Sequence, residues 1–494
     1  MVLTFLNRLF SKERIEARLI LKGMQCPKRY WFERHDPMER VPDEEERLKE
    51  IMNAQVREQA LRLFPGITAV SAGGAKGVRM TADAMKAASG VLANAHVEAE
   101  GVVVHSDVVV WNPEGVQIYQ IKSSGGIKES YFTESALVWH IMEAAGIAVS
   151  RAHIIHLNNR YTLRGEVDPL KLLTVKSISQ TVRKRMAGMA ADVSRIRGLN
   201  GACPRIEIGP QCSDPYPCEY RKRCWRHIPS PSVFDLHKLP GKKKFELYRQ
   251  GIVRFDQIPG DFPLRPEQTR QIRAELTGHA TIDRSAIGNF LERWKYPLYF
   301  LDFETFQQAV PEFEGVRPYE QIPFQFSLHR LDGAGEEPVH SEFLAEAGAD
   351  PRANLATALA AAIGPEGSII AYNQSFEKSV IKRLGEQFPE FSAQFAGMLE
   401  RFVDLMEPFE KGWYYTKEMG GRHSIKAVLP ALVPELSYRD LAIGDGGLAM
   451  VRYALLHLET NPDRVEKTRS ELLEYCRLDT YAMVKIWEKL CQSV

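Results

Sequence analysis

The sequence lacks a charge imbalance and any long apolar run. Its 494 residues carry 64 lysines and arginines against 63 aspartates and glutamates, so net charge argues neither for nor against a polyanionic partner. No stretch approaches the roughly 18 apolar residues of a membrane span, and the start, MVLTFLNRLFSKERIEARL, has no small-residue cleavage site. We expect a cytoplasmic protein without a membrane partner; a short amphipathic surface helix over residues 2–10 is the alternative.

Cysteine is scarce and unevenly distributed along the chain. There are seven cysteines, and in the expected reducing compartment we predict that they do not form disulfides. Cys26, Cys476 and Cys491 are scattered, and we expect the last two to be ordinary packed or terminal thiols. The other four crowd into one stretch: Cys203, Cys212, Cys218 and Cys224. This crowding needs an explanation other than disulfide bonding.

Internal repeats and long low-complexity tracts are absent, so the chain should form ordinary globular domains. Hydrophobic residues make up 44% and charged residues 26%, which is typical of such proteins. A chain of 494 residues is too long for one core. Proline-rich breaks at RHIPSPSVFDLHKLPG (226–241) and IPGDFPLRPEQ (258–268) indicate boundaries. We predict an α/β multidomain protein with domains at 1–228, 229–292 and 293–494.

The middle segment is expected to be helical. LHKLPGKKKFELYRQGI (236–252) predicts a helix, a glycine turn and another helix, and it resembles the small hairpin-like modules that accompany many nucleases. Lys242, Lys243 and Lys244 could contact phosphates. An exposed helix start is the simpler interpretation of three adjacent lysines.

One short run places two acidic residues inside an apolar strand. In LYFLDFETF (298–306), residues two apart share a face, so Asp302 and Glu304 point one way and Tyr299, Leu301 and Phe303 the other. Like charges in an apolar setting repel one another and lose hydration unless a cation compensates them. A divalent ion would do so; an exposed edge strand is the alternative.

Further acidic residues follow in the C-terminal third. IIAYNQSFEKSVIKRL (369–384) predicts a strand, then Asn373 and Glu377, then a helix. LLEYCRLDTYAMVKIW (472–487) predicts a long helix in which Tyr475 and Asp479, four residues apart, lie on one face. A two-ion site needs about four hard oxygen ligands, and these runs supply them.

The order D-x-E, N-x-x-x-acid, Y-x-x-x-D resembles the three motifs of the DEDD exonucleases, which have an RNase H-like fold. The resemblance implies 3′-to-5′ hydrolysis of DNA or RNA, with Tyr475 orienting the attacking water and with Asn373 and Lys378 contacting nucleic acid. It also implies that two ions, Mg²⁺ or Mn²⁺, would be held by Asp302, Glu304, Glu377 and Asp479.

Glu377 departs from the superfamily pattern, which usually has aspartate there. The extra methylene changes the reach of a ligand whose geometry a small octahedral ion restricts. Two other runs, RHSIKAVLPALVP (422–434) and PYEQIPFQFSLH (318–329), resemble a bacterial family of uncharacterised function with an exonuclease-like C-terminal domain. In that family glutamate is usual at this place.

The N-terminal half contains a second nuclease-like pattern. EAEGVVVHSDVVVWNPEGVQIYQIKSS (98–124) predicts strands joined by a turn at WNPEG, with Asp107 at the start of the second strand. Asp107, Gln120 and Lys122 resemble the PD-(D/E)XK core of RecB-type nucleases, in which the acids bind metal and the lysine stabilises developing charge. Gln120 stands where that family has an acid, so we expect an impaired site whose fold still binds nucleic acid.

The cysteines fit the same resemblance. The RecB-type exonucleases carry an iron–sulfur cage that joins the first helix to the end of the domain, and the matching ligands of a 4Fe–4S cluster would be Cys26, Cys212, Cys218 and Cys224. Five residues separate successive members of the C-terminal trio, which is wider than usual zinc pairs. Zinc remains the alternative, and Cys203 could then replace Cys26.

Basic runs next to these cysteines indicate a nucleic-acid partner, most simply a single strand. They are VRKRMAGMAADVSRIR (182–197) and YRKRCWRH (220–227), the second of which contains Arg221, Lys222 and Arg223. Two rival hypotheses stay open. The protein could bind nucleic acid without cleaving it, or the N-terminal domain could be the nuclease.

Overall fold

The computed structural model describes residues 14–38 and 43–494, so the surface helix considered over 2–10 lies outside the described residues. The chain forms two compact units. Unit 1 comprises Met1–Arg226 and Gln308–Glu320, and unit 2 comprises His227–Gln307 and Gln321–Val494. Both are α/β with mixed sheets, as expected. Within the described ranges, every helix is too short or too polar to cross a membrane.

A seven-stranded sheet forms the centre of unit 1. Strands β2 to β7 lie side by side in chain order, and β1 pairs with β4. The pair β5–β6 is parallel, whereas β3–β4, β4–β5 and β6–β7 are antiparallel. The strands are β1 (Ile15–Glu16), β2 (Thr68–Ala69), β3 (Gly90–Ala99), β4 (Val102–Asn112), β5 (Gly115–Lys122), β6 (Val149–Leu157) and β7 (Leu173–Ser177).

Helices cover both faces of this sheet because neighbouring strand residues point to opposite faces. Ile154 packs in a core with Leu137, whereas Ile155 packs in a second core with Val56. The helices are α1 (Ala17–Gln25), α2 (Pro27–His35), α3 (Glu44–Leu61), α4 (Gly74–Ala84), α5 (Glu129–Ala144), α6 (Pro169–Leu172), α7 (Ser179–Met186), α8 (Met189–Arg197) and α9 (Arg221–Cys224). Asp107 lies in the middle of β4 rather than at a strand start, because the valine runs on its two sides form one strand.

Unit 2 contains a five-stranded sheet with the order β11-β10-β9-β12-β13. β10 is antiparallel to β9 and β11, whereas β12 and β13 run parallel to β9. The strands of unit 2, including the separate pair β8–β14, are β8 (Thr281–Ile282), β9 (Leu298–Phe306), β10 (Ile322–Leu331), β11 (Val339–Leu344), β12 (Ser368–Ala371), β13 (Phe402–Asp404) and β14 (Tyr414–Tyr415).

The two faces of β9 meet different helices. Tyr299, Leu301 and Phe303 pack in an apolar core with residues of α13, α14 and α15, and the opposite face receives α19. The helices are α10 (Gly241–Arg249), α11 (Pro266–Thr277), α12 (Arg284–Leu291), α13 (Arg352–Ala362), α14 (Ser375–Gln387), α15 (Ser392–Leu399), α16 (Glu407–Glu410), α17 (Ile425–Leu432), α18 (Gly446–Leu456) and α19 (Pro462–Gln492).

The segment expected as a helical connector belongs to unit 2. Its small core contains Val233, Leu236, Leu247 and Phe255. Of the three lysines in α10, two are exposed, and Lys244 is half-buried with its Nζ donating to the carbonyl oxygen of Phe234 at 2.6 Å.

Candidate metal centre

Three carboxylates converge between β9 and α19. Asp302 and Glu304 share one face of β9, and Asp479 reaches them from α19. One ligand oxygen from each residue lies within 4.8 Å of the other two. Glu304 is 7% and Asp479 6% exposed, so β9 is not the solvated edge strand of the alternative interpretation. Among the described residues, these three form the only group of His, Cys, Asp or Glu with metal-ligand spacing.

Buried polar contacts hold α19 on the sheet in this position. Gln325, opposite Glu304 in β10, donates from its Nε2 to the carbonyl oxygen of Leu472 at 2.9 Å. Ser327 and Thr480 place their hydroxyl oxygens 2.7 Å apart. Because Thr480 follows Asp479 directly, this contact fixes the turn of the helix that presents the carboxylate.

Glu377, the expected fourth ligand, lies next to this group in the first turn of α14. It is 3% exposed, and its Oε2 has no hydrogen-bond partner in the described part of the chain. Its charge acts on both Asp302 and Glu304. A buried carboxylate oxygen without a partner is costly unless a cation or a proton satisfies it, so these residues fit a divalent ion.

Burial raises the pKa values of all four acids, and repulsion by other acids of the site adds to this for Asp302 and Glu304. Burial, followed by the charges of Asp479, Glu304 and Glu377, raises the pKa of Asp302 well above its usual range. Burial also raises the pKa of Glu304 and of Glu377 to about 8 each, and that of Asp479 to about 6. Bound cations would reverse these shifts, since an opposite charge favours the ionised carboxylate.

Two tyrosines and a lysine surround Asp479. The hydroxyl of Tyr438 donates to Asp479 Oδ1 at 2.6 Å, and Tyr475 also contacts this carboxylate by a hydrogen bond. Lys426 Nζ donates to the Tyr475 hydroxyl at 3.1 Å and lies 5.1 Å from the centre of its ring. Tyr475 was expected here from its spacing to Asp479. Lys426 and Tyr438 were missed as site residues.

Asp404 fixes the turn that precedes α14. It accepts hydrogen bonds from the backbone N–H groups of Asn373 at 2.9 Å, Gln374 at 3.2 Å and Met406 at 3.0 Å. Asn373 has a φ of 73°, a conformation that asparagine tolerates better than most residues. Asp404 therefore positions the helix start that carries Glu377, and sequence reasoning missed it as well.

The two residues expected to contact nucleic acid near this site lie at its outer side. Asn373 is exposed, and its Oδ1 accepts from Ser375 Oγ at 3.0 Å. Lys378 is half-buried, with its Nζ 5.8 Å from the centre of the Phe402 ring. Cys476, expected to be an ordinary packed thiol, is fully buried and lies 3.7 Å from Asp302 Oδ2.

The three residues of the second predicted site line one pocket of unit 1, together with Arg57 and Glu134. Arg57 Nη1 forms an ion pair with Asp107 Oδ1. The other carboxylate oxygen of Asp107, Oδ2, accepts a hydrogen bond from the Ile121 N–H at 2.8 Å. Gln120 is 2% exposed and donates from Nε2 to the His105 carbonyl oxygen at 3.1 Å. Lys122 Nζ contacts both oxygens of Glu134 at 2.8 and 2.7 Å.

Four of the five cysteines in the N-terminal half line a second cavity of unit 1. They are Cys26, Cys212, Cys218 and Cys224, each half-buried. Burial raises the pKa of Cys218 to about 11. Burial also raises the pKa of Cys224, and the nearby thiols of Cys212, Cys26 and Cys203 raise it further. A bound metal would lower these pKa values, since it favours the thiolate.

The basic residues beside this cavity are partly engaged by their own unit. Arg221 lies 4.4 Å from the centre of the Trp225 ring. Arg223 lies 4.2 Å from that of Phe32 and forms an ion pair with Asp36 at 2.6 Å. Lys222 is exposed. All three residues expected to contact nucleic acid thus lie on the surface of α9.

Comparisons with known proteins give relatives without a stated activity. Residues 299–424 match the family model described as Domain of unknown function (DUF2779). "Uncharacterized protein UU173" of Ureaplasma parvum is 26% identical over 227 residues, 42% of this chain and 32% of the relative. "Uncharacterized protein MG366 homolog" of Mycoplasma pneumoniae is 27% identical over 225 residues, 41% and 34% of the two chains. The matches thus span about a third of these relatives, and they support a resemblance to uncharacterised bacterial proteins.

Proposed function

We propose that unit 2 is a metal-dependent 3′-to-5′ exonuclease acting on DNA or RNA. The observation that carries this proposal is the convergence of Asp302, Glu304 and Asp479, with the unpartnered oxygen of Glu377 beside them. Four buried carboxylates, on two of which the single lysine Lys426 acts, form a site that divalent ions would stabilise. The order of the acids along the chain resembles the DEDD motifs, with Glu377 in place of the usual aspartate.

The topology of the unit 2 sheet supports an RNase H-like fold. Three antiparallel strands are followed by two parallel ones, in the order β11-β10-β9-β12-β13 with β9 in the centre. The first two acids lie on this central strand. The third lies at the start of the helix that follows β12, and the fourth lies on the C-terminal helix.

The chemistry follows from the groups around the carboxylates. Mg²⁺ or Mn²⁺ held by the four acids would lower the pKa of a water molecule and stabilise charge on the leaving 3′ oxygen. Tyr475 would orient the attacking water, and Lys426 fixes the hydroxyl of Tyr475 at 3.1 Å. Tyr438 holds Asp479 through its 2.6 Å hydrogen bond, which keeps the carboxylate aimed at the site.

An assay on single strands tests the proposal. Wild type and Asp302→Asn would be incubated in Mn²⁺ with DNA and RNA oligonucleotides labelled at the 5′ end. We expect wild type to produce a ladder of shortened products, and Asp302→Asn to lose at least a hundredfold in rate, as when a group that stabilises the transition state is removed. Asp332→Asn, the same change at an exposed residue of unit 2, should retain full activity.

The same assay separates the rival hypotheses. Equal cleavage by wild type and Asp302→Asn would refute the proposal. If Lys122→Ala then lost activity, the nuclease would lie in unit 1. Binding of the oligonucleotide without cleavage in Mg²⁺ or Mn²⁺ would identify a nucleic-acid-binding protein that is catalytically inactive.

For unit 1 we propose a PD-(D/E)XK-like fold closed by a 4Fe–4S cluster. The support is the cavity shared by Cys26, Cys212, Cys218 and Cys224. The five-residue intervals between Cys212, Cys218 and Cys224 are wider than those of usual zinc pairs and favour a cluster over zinc. Such a cluster would tie α2 to the segment around α9 and so stabilise the unit.

A further inference from the structure

The unit 1 pocket already contains cations at the place where a nuclease of this type would bind a metal ion. Arg57, from α3, pairs with Asp107 through Nη1, and its Nη2 donates to Asn94 Oδ1. Lys122 pairs with Glu134, from α5. Each of the two acids that line the pocket, Asp107 and Glu134, is thus paired with a basic side chain of the same unit.

A divalent ion would have to displace these contacts. Gln120 supplies no charge, and its carboxamide is fixed against the His105 carbonyl oxygen. The Asp107 carboxylate accepts from a guanidinium on one oxygen and from a backbone N–H on the other. A carboxylate with both oxygens bound has little to gain from a metal ion. The pocket differs in this respect from unit 2, where a buried carboxylate oxygen has no partner.

Arg57 and Lys122 are the two groups of the pocket lining that could attract an anion. The pocket has a volume of about 410 Å³ and opens to solvent, and polar side chains such as Ser123 and Asn53 line it. Arg57 and Lys122 stay 25% and 17% exposed in their ion pairs, so both cations reach the pocket surface. Asp107 and Asn94 accept from Nη1 and Nη2 and hold the guanidinium in one position, so a phosphate oxygen meets a cation whose side chain is already ordered.

We propose that this pocket binds a backbone phosphate of a nucleic-acid strand without a metal ion, with the Arg57 guanidinium standing in for the divalent cation. The class of ligand rests on the proposed function, which makes nucleic acid the substrate of unit 2. The independence from metal rests on unit 1 alone.

Binding in a chelator tests this directly. The full-length Asp302→Asn protein, which should not hydrolyse its ligand, would be titrated with a fluorescent single-stranded oligonucleotide in EDTA. We expect Arg57→Ala/Asp107→Ala, which removes one charge of each sign, to bind about tenfold more weakly than the parent. The slope of log K against log salt should fall by about 0.7, the value for one phosphate contact on a single strand. Unchanged affinity and slope would overturn the proposal.

A second pair of changes covers the case in which the first variant misfolds. Lys122→Gln/Glu134→Gln removes one charge of each sign and leaves a polar side chain at both positions, and it too should weaken binding in EDTA. Arg164→Ala/Glu314→Ala, an exposed ion pair of unit 1 with 3.3 Å between Nη1 and Oε1, is the matched control and should bind as the parent does.

Addition of Mn²⁺ to the binding assay can give a result that contradicts the proposal. If Mn²⁺ strengthened binding by the Asp302→Asn parent tenfold, and Asp107→Asn abolished that gain, the pocket would be a metal site and the proposal would be wrong. Failure of unit 2 to cleave nucleic acid would not affect this result, because the titration measures binding only. The two proposals can therefore fail separately.

Discussion

Neutralising Glu304 should stabilise the metal-free protein. This carboxyl group is buried, and burial followed by the charge of Asp479 raises its pKa from the usual 4.5 to about 8. A group whose pKa is higher in the folded state than in the unfolded chain contributes its full stability only below the unfolded pKa. That contribution is lost as pH rises toward the folded pKa. The chelated wild type should therefore lose stability between about pH 4.5 and pH 8.

The difference between the two pKa values gives the size of this loss. One pKa unit corresponds to about 1.4 kcal/mol, so a rise from 4.5 to about 8 lowers the free energy of unfolding at pH 8 by an amount on the order of 4 kcal/mol. For a unit of this size, 1 kcal/mol shifts the melting temperature by roughly 2–4 °C. Glu304→Gln buries no charge, so its chelated form should melt roughly 10 °C above chelated wild type at pH 8.

Thermal unfolding followed by circular dichroism checks this expectation. Both proteins would be melted in EDTA at about pH 5 and pH 8, and again after addition of Mn²⁺. The two should nearly coincide at the lower pH, where wild-type Glu304 is protonated in the fold. Mn²⁺ should raise the melting temperature of wild type at pH 8, because the ion binds only the folded state, and should do little for Glu304→Gln.

A matched control keeps the comparison specific. Glu337→Gln makes the same change at an exposed residue and should melt as wild type does at both pH values. If chelated Glu304→Gln melted at or below wild type at pH 8, burial of the ionised carboxylate would not be costly. The reasoning about a cation site would then be refuted.

Two further predictions concern side chains around the two sites. Lys426→Met should slow single-turnover hydrolysis by roughly 10- to 100-fold while oligonucleotide binding changes little, because the Tyr475 hydroxyl loses its fixed partner. Lys426→Arg keeps a donor and should lose less of the rate. An unchanged rate for Lys426→Met would contradict this role of the lysine. Cys218→Ser should lose iron and acid-labile sulfide from anaerobically purified protein, whereas Cys491→Ser, at an exposed cysteine of unit 2, should keep both. Stoichiometric zinc in place of iron would favour the alternative site.

The parts of the fold that follow local rules could be predicted from the sequence. Alternation along 298–306 assigned Asp302 and Glu304 to one face, and the structure gives the strand Leu298–Phe306 with that arrangement. Spacing by four residues assigned Tyr475 and Asp479 to one face of a helix, which the structure extends over Pro462–Gln492. In both cases a short periodic run determines which side chains point together.

The missed residues depend on contacts between distant parts of the chain. Lys426 is 49 positions from Tyr475, and Tyr438 is 41 positions from Asp479. Arg57 is 50 positions from Asp107. Each pair forms only when two elements pack against each other. The periodicity of one element does not predict which turn of a neighbouring element its side chains will contact. Asp404 shows the same limit, because its role is to bind the backbone of a turn 30 residues earlier.

The two units compensate the charge of their buried carboxylates in different ways. A carboxylate placed on a central strand needs a positive partner. In unit 1 the chain supplies the partner, since Arg57 pairs with Asp107 and Lys122 pairs with Glu134. In unit 2, Lys426 acts on Glu304 and Asp479, and one lysine cannot balance four acids. The excess negative charge there must take up protons or divalent ions. Sensitivity to chelators and the loss of stability at high pH should therefore originate in unit 2.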